Sequence, residues 1–431
     1  MKTIRRSFLC AAMLGLAALA AIDSAAGQNS DGEKKPAVRL EFKNRPSLRL
    51  GKLFRMDLRT KVQTDFRTFS PEVVTDEGTF DLHRARLSLE GEAFKVFEYE
   101  VERDFRQSIG SNDQRYPWKD VNLNFKYFDH FQLKLGKFKV PFSLDELTGE
   151  HENDFAIRSR IADDLAPGRD VGAMLHGRFF RRGLSYQIGV FRHDGENPRA
   201  RNGEPFSDTA FAVRLTATPL RVISAIKPLH TLEIGAAYTR AQVPQGLSGV
   251  RGHTVSGDVY FPYVYVQGPR ERIGGEANWI AGRFSLKGEF INMTEARQQQ
   301  GVFVDDLPEK ISRGWYATGT WVFTGEKKDG GVQPNRPFLD GGFGALELAG
   351  RYEQIRFGTT DQTAQGFTSP RSRVLRSQSN RVWTAGVNWY PQRYFKVQLD
   401  AIHERIEENS RSPLPGRNNF WMGILRLQFA M

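Results

Sequence analysis

The feature that most constrains this chain is an alternation of apolar and charged residues that recurs from one segment to the next. Between Leu48 and Phe66 the even positions are mostly apolar, whereas the odd positions mostly carry charged or polar side chains. Successive side chains of a β-strand point to opposite faces, so this segment has one apolar face and one charged face. The same alternation surrounds Leu87, Val101 and Leu133, which predicts an all-β fold.

Sixteen segments show this pattern, and the connections between them are alternately short and long. One connection, residues 325–342, is long where the order calls for a short turn. The predicted strands span residues 48–69, 79–91, 97–107, 118–127, 131–139, 171–179, 184–192, 208–218, 229–240, 273–281, 283–293, 313–324, 343–355, 380–390, 394–407 and 419–429. An even strand count with short and long connections in turn is typical of an outer-membrane barrel.

Bilayer physics explains why such a sheet must close and how it tolerates charge. No backbone group can stay unpaired in hydrocarbon, so a sheet that spans a membrane has no free edge. About sixteen strands enclose a water-filled lumen, in which rows of charged side chains remain hydrated. Charged residues make up 26% of the chain, which excludes a bundle of membrane helices. The sequence therefore predicts a 16-stranded antiparallel transmembrane β-barrel with short periplasmic turns and long external loops.

The beginning of the chain has the composition of an export signal. Lys2 and the pair Arg5-Arg6 precede an apolar run over residues 8–22, and small residues suit cleavage after Ala26. We therefore predict a signal peptide over residues 1–26. The twin arginine also fits export of an already folded protein, an alternative against which the barrel pattern argues.

Three segments follow from this division of the chain. Residues 1–26 form the signal peptide, residues 27–47 a polar periplasmic tether, and residues 48–431 the barrel. Cleavage of the leader removes Cys10, the only cysteine of the chain. No disulfide, thiolate metal site or cysteine nucleophile is therefore expected in the mature protein.

Six short motifs, spread over nearly the whole mature chain, point to a known family. They are Gly136–Thr148 (GKFKVPFSLDELT), Ala166–Gly172 (APGRDVG), His83–Leu87 followed by Glu90-Gly91, Phe323–Glu326, Gly344–Tyr352 and Gly386–Pro391. Together and in this order they resemble the phosphate-selective porin family, the O/P porins. The resemblance implies a sixteen-stranded porin in outer-membrane lipid, a homotrimer, whose third loop folds into the lumen.

The third loop is also visible in the sequence itself. Residues 141–170 lack the period-two alternation and hold several acidic residues together with three arginines. A long unpatterned connection inside a regular barrel usually has a function. A solvated external loop would have the same composition, so the residues alone leave both interpretations open.

Six basic side chains form the predicted pore-lining, anion-guiding set. The resemblance supplies four of them. Arg84 and Arg86 match a basic pair on the second strand, and Lys139 matches the lysine of the Phe-Lys-x-Pro-Phe motif. His151 is the counterpart of a phosphate-contacting lysine of the family and stands at the expected lysine position. The full set is Arg84, Arg86, Lys134, Lys139, His151 and Arg169. Histidine is largely neutral at pH 7, although acidic neighbours would raise its pKa, so His151 weakens the case for phosphate specificity.

The two arginines of the second strand also allow a purely structural interpretation. If the hairpin is centred near residue 94, Arg86 lies opposite Glu102 and Arg84 opposite Asp104 on the lumen face. The arginines would then be cross-strand ion pairs that tighten the wall. Wall pairing and anion guidance are compatible, so both remain open.

Lys139 presents a conflict between strand parity and the family motif. Leu133 and Leu135 are predicted to face lipid, and strict period two would place Lys139 on the same face. A glycine within a strand often marks a bulge, and one extra residue exchanges the two faces beyond it. We therefore predict an irregularity at residues 136–138 that turns Lys139 into the pore.

The chain contains no motif for catalysis, for nucleotide binding or for a metal site. Its basic residues are interleaved with acidic ones, so a nucleic-acid partner is not expected. The sequence predicts an outer-membrane porin, without catalytic residues, cofactor or metal, through which small hydrophilic solutes diffuse with a mild preference for anions that could extend to phosphate. Two alternatives remain, namely a soluble periplasmic β-rich protein that binds carbohydrate and an outer-membrane barrel enzyme.

Overall fold

The computed structural model of the protein describes most of the chain downstream of the predicted leader. The described residues are 38–71, 80–106, 117–180, 183–197, 209–222, 224–328, 331–361, 371–372 and 374–431. The predicted signal peptide and residues 27–37 of the predicted tether lie outside these ranges, so both stay predictions. Residues Leu40–Met431 form one compact unit, which contains the barrel.

Sixteen antiparallel strands form the barrel, as the alternation predicts. They are β1 (Phe54–Ser70), β2 (Phe80–Ala93), β3 (Phe97–Asp104), β4 (Trp118–Phe125), β5 (Gln132–Lys139), β6 (Arg169–Phe179), β7 (Leu184–Phe191), β8 (Ala210–Ala217), β9 (Glu233–Leu247), β10 (Tyr265–Ala281), β11 (Phe284–Arg297), β12 (Leu307–Val322), β13 (Ala345–Thr359), β14 (Gln378–Gln392), β15 (Phe395–Ile406) and β16 (Asn419–Ala430). Each strand pairs with the next, and β16 pairs with β1, which closes the sheet. We call the rim with the short turns periplasmic and the rim with the long loops external.

The seam between the first and last strands is held by polar side chains on the lumen face. Arg426 of β16 lies opposite Asp65 of β1, and its Nε and Nη2 atoms each donate to one carboxylate oxygen at 2.7 Å. Gln63 donates to Gln428 at 2.6 Å. A bidentate guanidinium–carboxylate pair is strong and fixes geometry, so it holds the register at the point of closure.

The two faces of the wall divide as the sequence predicts. Leu87 is 40% exposed and Leu135 is 45% exposed on the outer face, whereas Arg86 is only 6% exposed inside the barrel. Other apolar side chains predicted to face lipid are also exposed: Leu89, Val101, Leu133 and Leu427. The predicted register of faces is therefore confirmed for these strands.

Leu87→Arg is expected to destabilise the barrel strongly, because Leu87 lies near the middle of β2 on the outer face. An arginine at the bilayer midplane costs ~2–4 kcal/mol of unfolding free energy. Urea unfolding of protein folded in phospholipid vesicles measures this cost. The matched control is Phe94→Arg in the exposed periplasmic turn, where an introduced arginine costs ~0–1 kcal/mol of unfolding free energy. Equal costs at the two positions would contradict the assigned faces.

The strand boundaries differ most from the predictions at two places. The first predicted strand is split, because Gly51 turns the chain with a φ of 56° and Pro46–Leu50 forms a separate strand that pairs with the start of β1. Strands β9 and β10 extend well into the predicted loop 241–272. They carry register shifts there, near Val243 and near Gln267, where Gly and Pro form bulges instead of turns.

The remaining elements are short. The third loop holds α1 (Leu144–Leu147) and α2 (Arg160–Leu165), and the loop between β9 and β10 holds the small paired strands Gly252–His253 and Val259–Phe261. A strand over Val38–Phe42 precedes the barrel, and 3₁₀ turns occur at Pro219–Val222, Ser224–Leu229, Phe338–Asp340 and Asn409–Arg411. Among the described residues, no helix is both long and apolar enough to cross a membrane.

Candidate functional site

The third loop, residues 140–168, leaves β5 and crosses the lumen before the chain enters β6. Two serine caps start its short helices, since the Ser143 hydroxyl accepts from the Glu146 amide and the Ser159 hydroxyl from the Ala162 amide. The first cap is the Ser-x-x-Glu sequence of a capping box. The loop is therefore ordered by its own residues as well as by the wall.

Apolar contacts fix one side of the third loop. Ile161 and Leu165 lie on one face of α2 and are fully buried against the inner wall. The wall supplies buried apolar side chains from β11, β12 and β13, at positions where a hydrated lumen would have polar ones: Ile291, Met293, Tyr316, Ile355 and Phe357. These inward apolar residues form a docking surface for the loop.

Asp154 fixes the tip of the third loop from the periplasmic side. Its carboxylate accepts from Lys287 of β11 at 2.9 Å and from Lys328 at 2.5 Å. Lys328 belongs to the long periplasmic connection between β12 and β13, and it also donates to Glu347 at 2.6 Å. The connection that is unexpectedly long in the sequence thus sends a lysine into the lumen to hold the loop.

Further wall side chains hold the main chain of the third loop. Asp400 accepts from the Ala156 amide at 2.7 Å, and Arg426 donates to the Ala156 carbonyl. Lys396 donates to the Asn153 carbonyl at 2.6 Å, and Arg272 donates to the Leu165 carbonyl at 2.7 Å. The predicted inward fold of the third loop is confirmed, and the loop divides the lumen into an external and a periplasmic cavity.

The external cavity has a volume of about 280 Å³ and a basic lining. Among the described residues, eight arginine and lysine side chains line it, against four aspartate and glutamate side chains, so the lining itself has an excess of four positive charges. Four aspartates behind the lining, Asp65, Asp104, Asp120 and Asp164, pair with five of the arginines. The basic residues are Arg67, Arg84, Arg86, Lys119, Arg158, Arg160, Arg169 and Arg426. The acidic residues are Glu146, Glu150, Asp163 and Glu196.

Arg84 and Arg86 face this cavity and meet the third loop at Glu150. The predicted cross-strand register is wrong by two residues. The hairpin turns over residues 94–96, so Arg86 lies opposite Asp104 instead of Glu102. Arg86 donates to Asp104 at 2.8 Å and, diagonally, to Glu102 at 3.3 Å. Burial alone would raise the pKa of the Glu150 carboxyl, but the two guanidinium groups hold that pKa well below its usual value.

Lys139 turns toward the third loop, but not through the predicted bulge. The register between β5 and β6 is unbroken as far as Lys139, so no extra residue is inserted there. Gly136 instead adopts a φ of 119°, a conformation that residues with a Cβ rarely take, and its neighbour across the sheet leaves no room for a side chain. The Lys139 ammonium donates to the carbonyls of Glu146 and Thr148, which places it under the loop.

The other predicted residues lie apart from one another. Arg169 lines the external cavity and donates twice to Asp120, at 2.7 and 2.9 Å. Lys134 lies further toward the periplasmic rim, with its ammonium 5.2 Å from the centre of the Phe138 ring. His151 lines the periplasmic cavity. The structure therefore brings Arg84, Arg86 and Arg169 together.

His151 is neutral at physiological pH. Burial lowers its pKa to about 4, although the Glu152 carboxylate, 3.7 Å away, acts in the opposite direction. The acidic neighbour acts to raise this pKa as expected, but desolvation outweighs its charge. The side chain adds no positive charge to the pore at pH 7.

We expect His151→Gln to leave the ion selectivity of the pore unchanged between about pH 6 and pH 8, because a neutral side chain replaces another. His151→Lys adds a charge to the periplasmic cavity and should shift the zero-current potential toward anions. Zero-current potentials of the two variants in a salt gradient measure both effects. A selectivity that changes in the wild type near pH 6.5 and not in His151→Gln would show that His151 titrates normally.

The periplasmic cavity, of about 490 Å³, is also basic. Among its described lining residues, Lys287, Lys328, Arg393 and Lys396 outnumber the acidic Glu152 and Asp154. The predicted set of pore-lining residues missed these four basic side chains, as it missed Arg67, Lys119, Arg158, Arg160 and Arg426 of the external cavity. Inward parity on their strands was an available signal for Arg67, Lys287, Lys396 and Arg426. Lys119 has the parity of the outward Val121 and Leu123, and it faces inward where the register between β3 and β4 shifts.

Asp163, Asp164 and His253 come close enough to offer ligand atoms to a metal ion. The Arg160 guanidinium occupies the middle of this group, 3.1 Å from Asp163, 2.8 Å from Asp164 and 2.9 Å from the His253 ring. A charged guanidinium therefore already pairs with one oxygen of each carboxylate. The group joins the third loop to the loop between β9 and β10.

Comparison with known proteins gives a consistent result. Residues 54–430 match the model of the family described as phosphate-selective porin O and P. Porin O of Pseudomonas aeruginosa is 23% identical over 395 residues, covering 83% of this chain and 84% of that protein. An anion-selective porin from Comamonas acidovorans superposes with a TM-score of 0.54 at 9% identity, over 88% of this chain and all of the other. The trimer form of OmpT from Vibrio cholerae superposes with the same TM-score at 10% identity and the same coverage.

Proposed function

The chain belongs to the phosphate-selective porin O and P family and is an outer-membrane porin, and we propose that its pore passes small hydrophilic solutes with a mild preference for anions. The excess of four positive charges around the external cavity carries this proposal. Charges that line a narrow aqueous path concentrate the opposite ion and select by sign. The basic excess of the periplasmic cavity acts in the same direction.

Within this proposal, Arg84, Arg86 and Arg169 guide anions through the external cavity. Each also pairs with a carboxylate, so part of its charge is neutralised by Glu150, Asp104 or Asp120. Lys139 acts beneath the third loop, and Lys134 lies nearer the periplasmic rim. Partial neutralisation favours a mild preference over strong binding of one anion.

Strong phosphate specificity is not part of the proposal. A site that discriminates phosphate presents several charged donors to one small anion. His151, at the position where the resemblance implies a lysine, is neutral, and Glu150 lies among the arginines. The Comamonas acidovorans neighbour is named as anion-selective, which supports the preference for anions.

Chloride current in the presence of added phosphate tests the proposed breadth of selectivity. Purified protein in a planar bilayer is recorded in potassium chloride while sodium phosphate is added at constant ionic strength. We expect the chloride current to fall only in proportion to the chloride that phosphate replaces. Strong block at phosphate concentrations far below that of chloride would show a dedicated phosphate site and contradict the proposal.

The proposal includes passive flow without catalysis, a homotrimer and export with a cleaved signal peptide over residues 1–26. The fold leaves two basic cavities along a hydrated lumen, which suits diffusion. The trimer form of the Vibrio cholerae neighbour supports the assembly. Gel mobility before and after boiling tests the assembly, because a trimeric barrel should run as a larger species until it is heated.

A further inference from the structure

Four arginines project from the outer face of the barrel near its external rim. They lie on four consecutive strands and are all exposed: Arg313 on β12, Arg356 on β13, Arg381 on β14 and Arg405 on β15. Their parity is that of the lipid-facing side chains on the same strands, such as Trp315 and Trp383. This arginine row therefore has no access to the pore.

The arginines of the row are placed in directly opposed pairs. Arg313 lies opposite Arg356, and Arg381 lies opposite Arg405. Like charges directly opposite each other on a sheet repel and destabilise it. Among the described residues, none of the four makes an ion pair or hydrogen bond. Two unneutralised like-charge pairs side by side attract an anion from outside the chain.

A continuous row of aromatic rings lies just below the arginine row. Ring centres are 5.3 Å apart between Trp315 and Tyr352 and between Tyr352 and Trp383. The row continues to His403 at 5.4 Å and from there to Trp421 at 4.3 Å. Aromatic belts of this kind mark the boundary between hydrocarbon and headgroups. The arginines lie two to four residues further out, which places them at headgroup level.

We propose that the arginine row binds the phosphate groups of lipids in the outer leaflet. The guanidinium group matches a phosphate with two parallel hydrogen bonds, and its stem can lie along the aromatic rings while the head reaches the polar layer. One phosphate between Arg313 and Arg356, and another between Arg381 and Arg405, neutralise both opposed pairs. The partner is a phosphorylated lipid whose acyl chains pack against the wall below.

Another outward arginine provides a matched control. Arg240 on β9 is exposed on the outer face, but it pairs with Glu271 at 3.3 Å. On the four strands of the row, an exposed carboxylate occurs only at Glu309, four residues beyond Arg313. Removing Arg240 therefore removes an outward arginine without removing an unneutralised charge.

Binding of lipid A, a diphosphorylated glycolipid, to the purified protein in detergent tests the proposal. The bound lipid is counted by native mass spectrometry for the wild type, for Arg313→Gln/Arg356→Gln and for Arg240→Gln. Each arginine near anionic lipid contributes about fivefold to binding, so the double variant should bind about 25-fold more weakly. Arg240→Gln should bind as the wild type does, and dephosphorylated lipid A should bind weakly to all three.

Several results would overturn the proposal. Equal binding of lipid A by the wild type and the double variant would show that the row is not the site. Equal binding of phosphorylated and dephosphorylated lipid would show that acyl chains alone are recognised. Displacement of lipid A by an equal concentration of inorganic phosphate would show a site for the free anion. Should the first double variant not fold, Arg381→Gln/Arg405→Gln carries the same expectation. The zero-current potential should not change in either variant, because the row faces away from the pore.

Discussion

Replacing both Arg84 and Arg86 by glutamate is expected to remove most of the anion preference of the pore, leaving the part that the periplasmic cavity contributes. The exchange removes two positive charges and adds two negative ones, so the excess of four around the external cavity falls to zero. One charge about 8 Å from a permeating ion contributes about 0.2 kcal/mol at 0.1 M salt, so four together change the anion-to-cation permeability ratio by about tenfold. Zero-current potentials in a potassium chloride gradient measure this ratio.

Two further variants make the result interpretable. Arg84→Gln/Arg86→Gln halves the excess and avoids placing new carboxylates beside Glu150 and Asp104, so it should show an intermediate ratio and fold more readily. Arg240→Glu changes the charge of an outward side chain and should leave the ratio as it is. If the glutamate double variant kept the wild-type anion-to-cation permeability ratio, these arginines would not act on the permeating ions.

Asp154→Ala is expected to release the tip of the third loop. The substitution leaves Lys287 without its carboxylate and Lys328 with only Glu347. Breaking one partner of a buried ion pair costs ~3–5 kcal/mol, and the remaining Glu347 places this case at the lower end. Two freed lysines also add positive potential to the lumen. We therefore expect a less stable barrel, a noisier open-channel current and a stronger preference for anions.

Asp163→Ala is the matched control for this experiment. Asp163 is also a third-loop carboxylate, but its side chain is 48% exposed and it faces the external cavity. Its removal should cost less than ~1 kcal/mol and should not raise the current noise. Urea unfolding in vesicles and single-channel recording compare the two variants. Equal noise in both would show that the loop is held by its apolar contacts alone.

Much of the barrel could be predicted because its two faces meet different solvents. Lipid on one side and water on the other force period-two alternation, and Leu87 and Arg86 show it at adjacent positions. The predicted strand boundaries were wrong where glycine and proline occur inside strands. Near Val243 and Gln267 they make bulges, and period-two reasoning cannot distinguish a bulge from the end of a strand.

The site was less predictable because the third loop makes its contacts far away in sequence. Ile291 and Ile355 interrupt the polar inner face, and they are the residues that receive Ile161 and Leu165. An apolar residue at inward parity was thus a readable sign of docking, but nothing local says which segment docks. Lys328 had no such sign, because a lysine in a connection carries no parity.

Lys139 shows both the value and the limit of sequence reasoning. The conflict between parity and motif pointed to an irregular backbone, and Gly136 does depart from ordinary strand conformation. The mechanism differed, because a single glycine with positive φ turned the chain without an inserted residue. Alternation records on which face a residue lies, whereas backbone torsions are set by packing between strands.

The zero-current potential of the wild-type protein in a potassium chloride gradient tests the central claim most directly. Chloride and potassium have similar mobilities, so the sign of the potential reports the fixed charge along the path. The basic excess around both cavities predicts a potential of the sign that chloride permeation sets, and a smaller value as salt is raised. A potential of the opposite sign, set by potassium, would contradict the account.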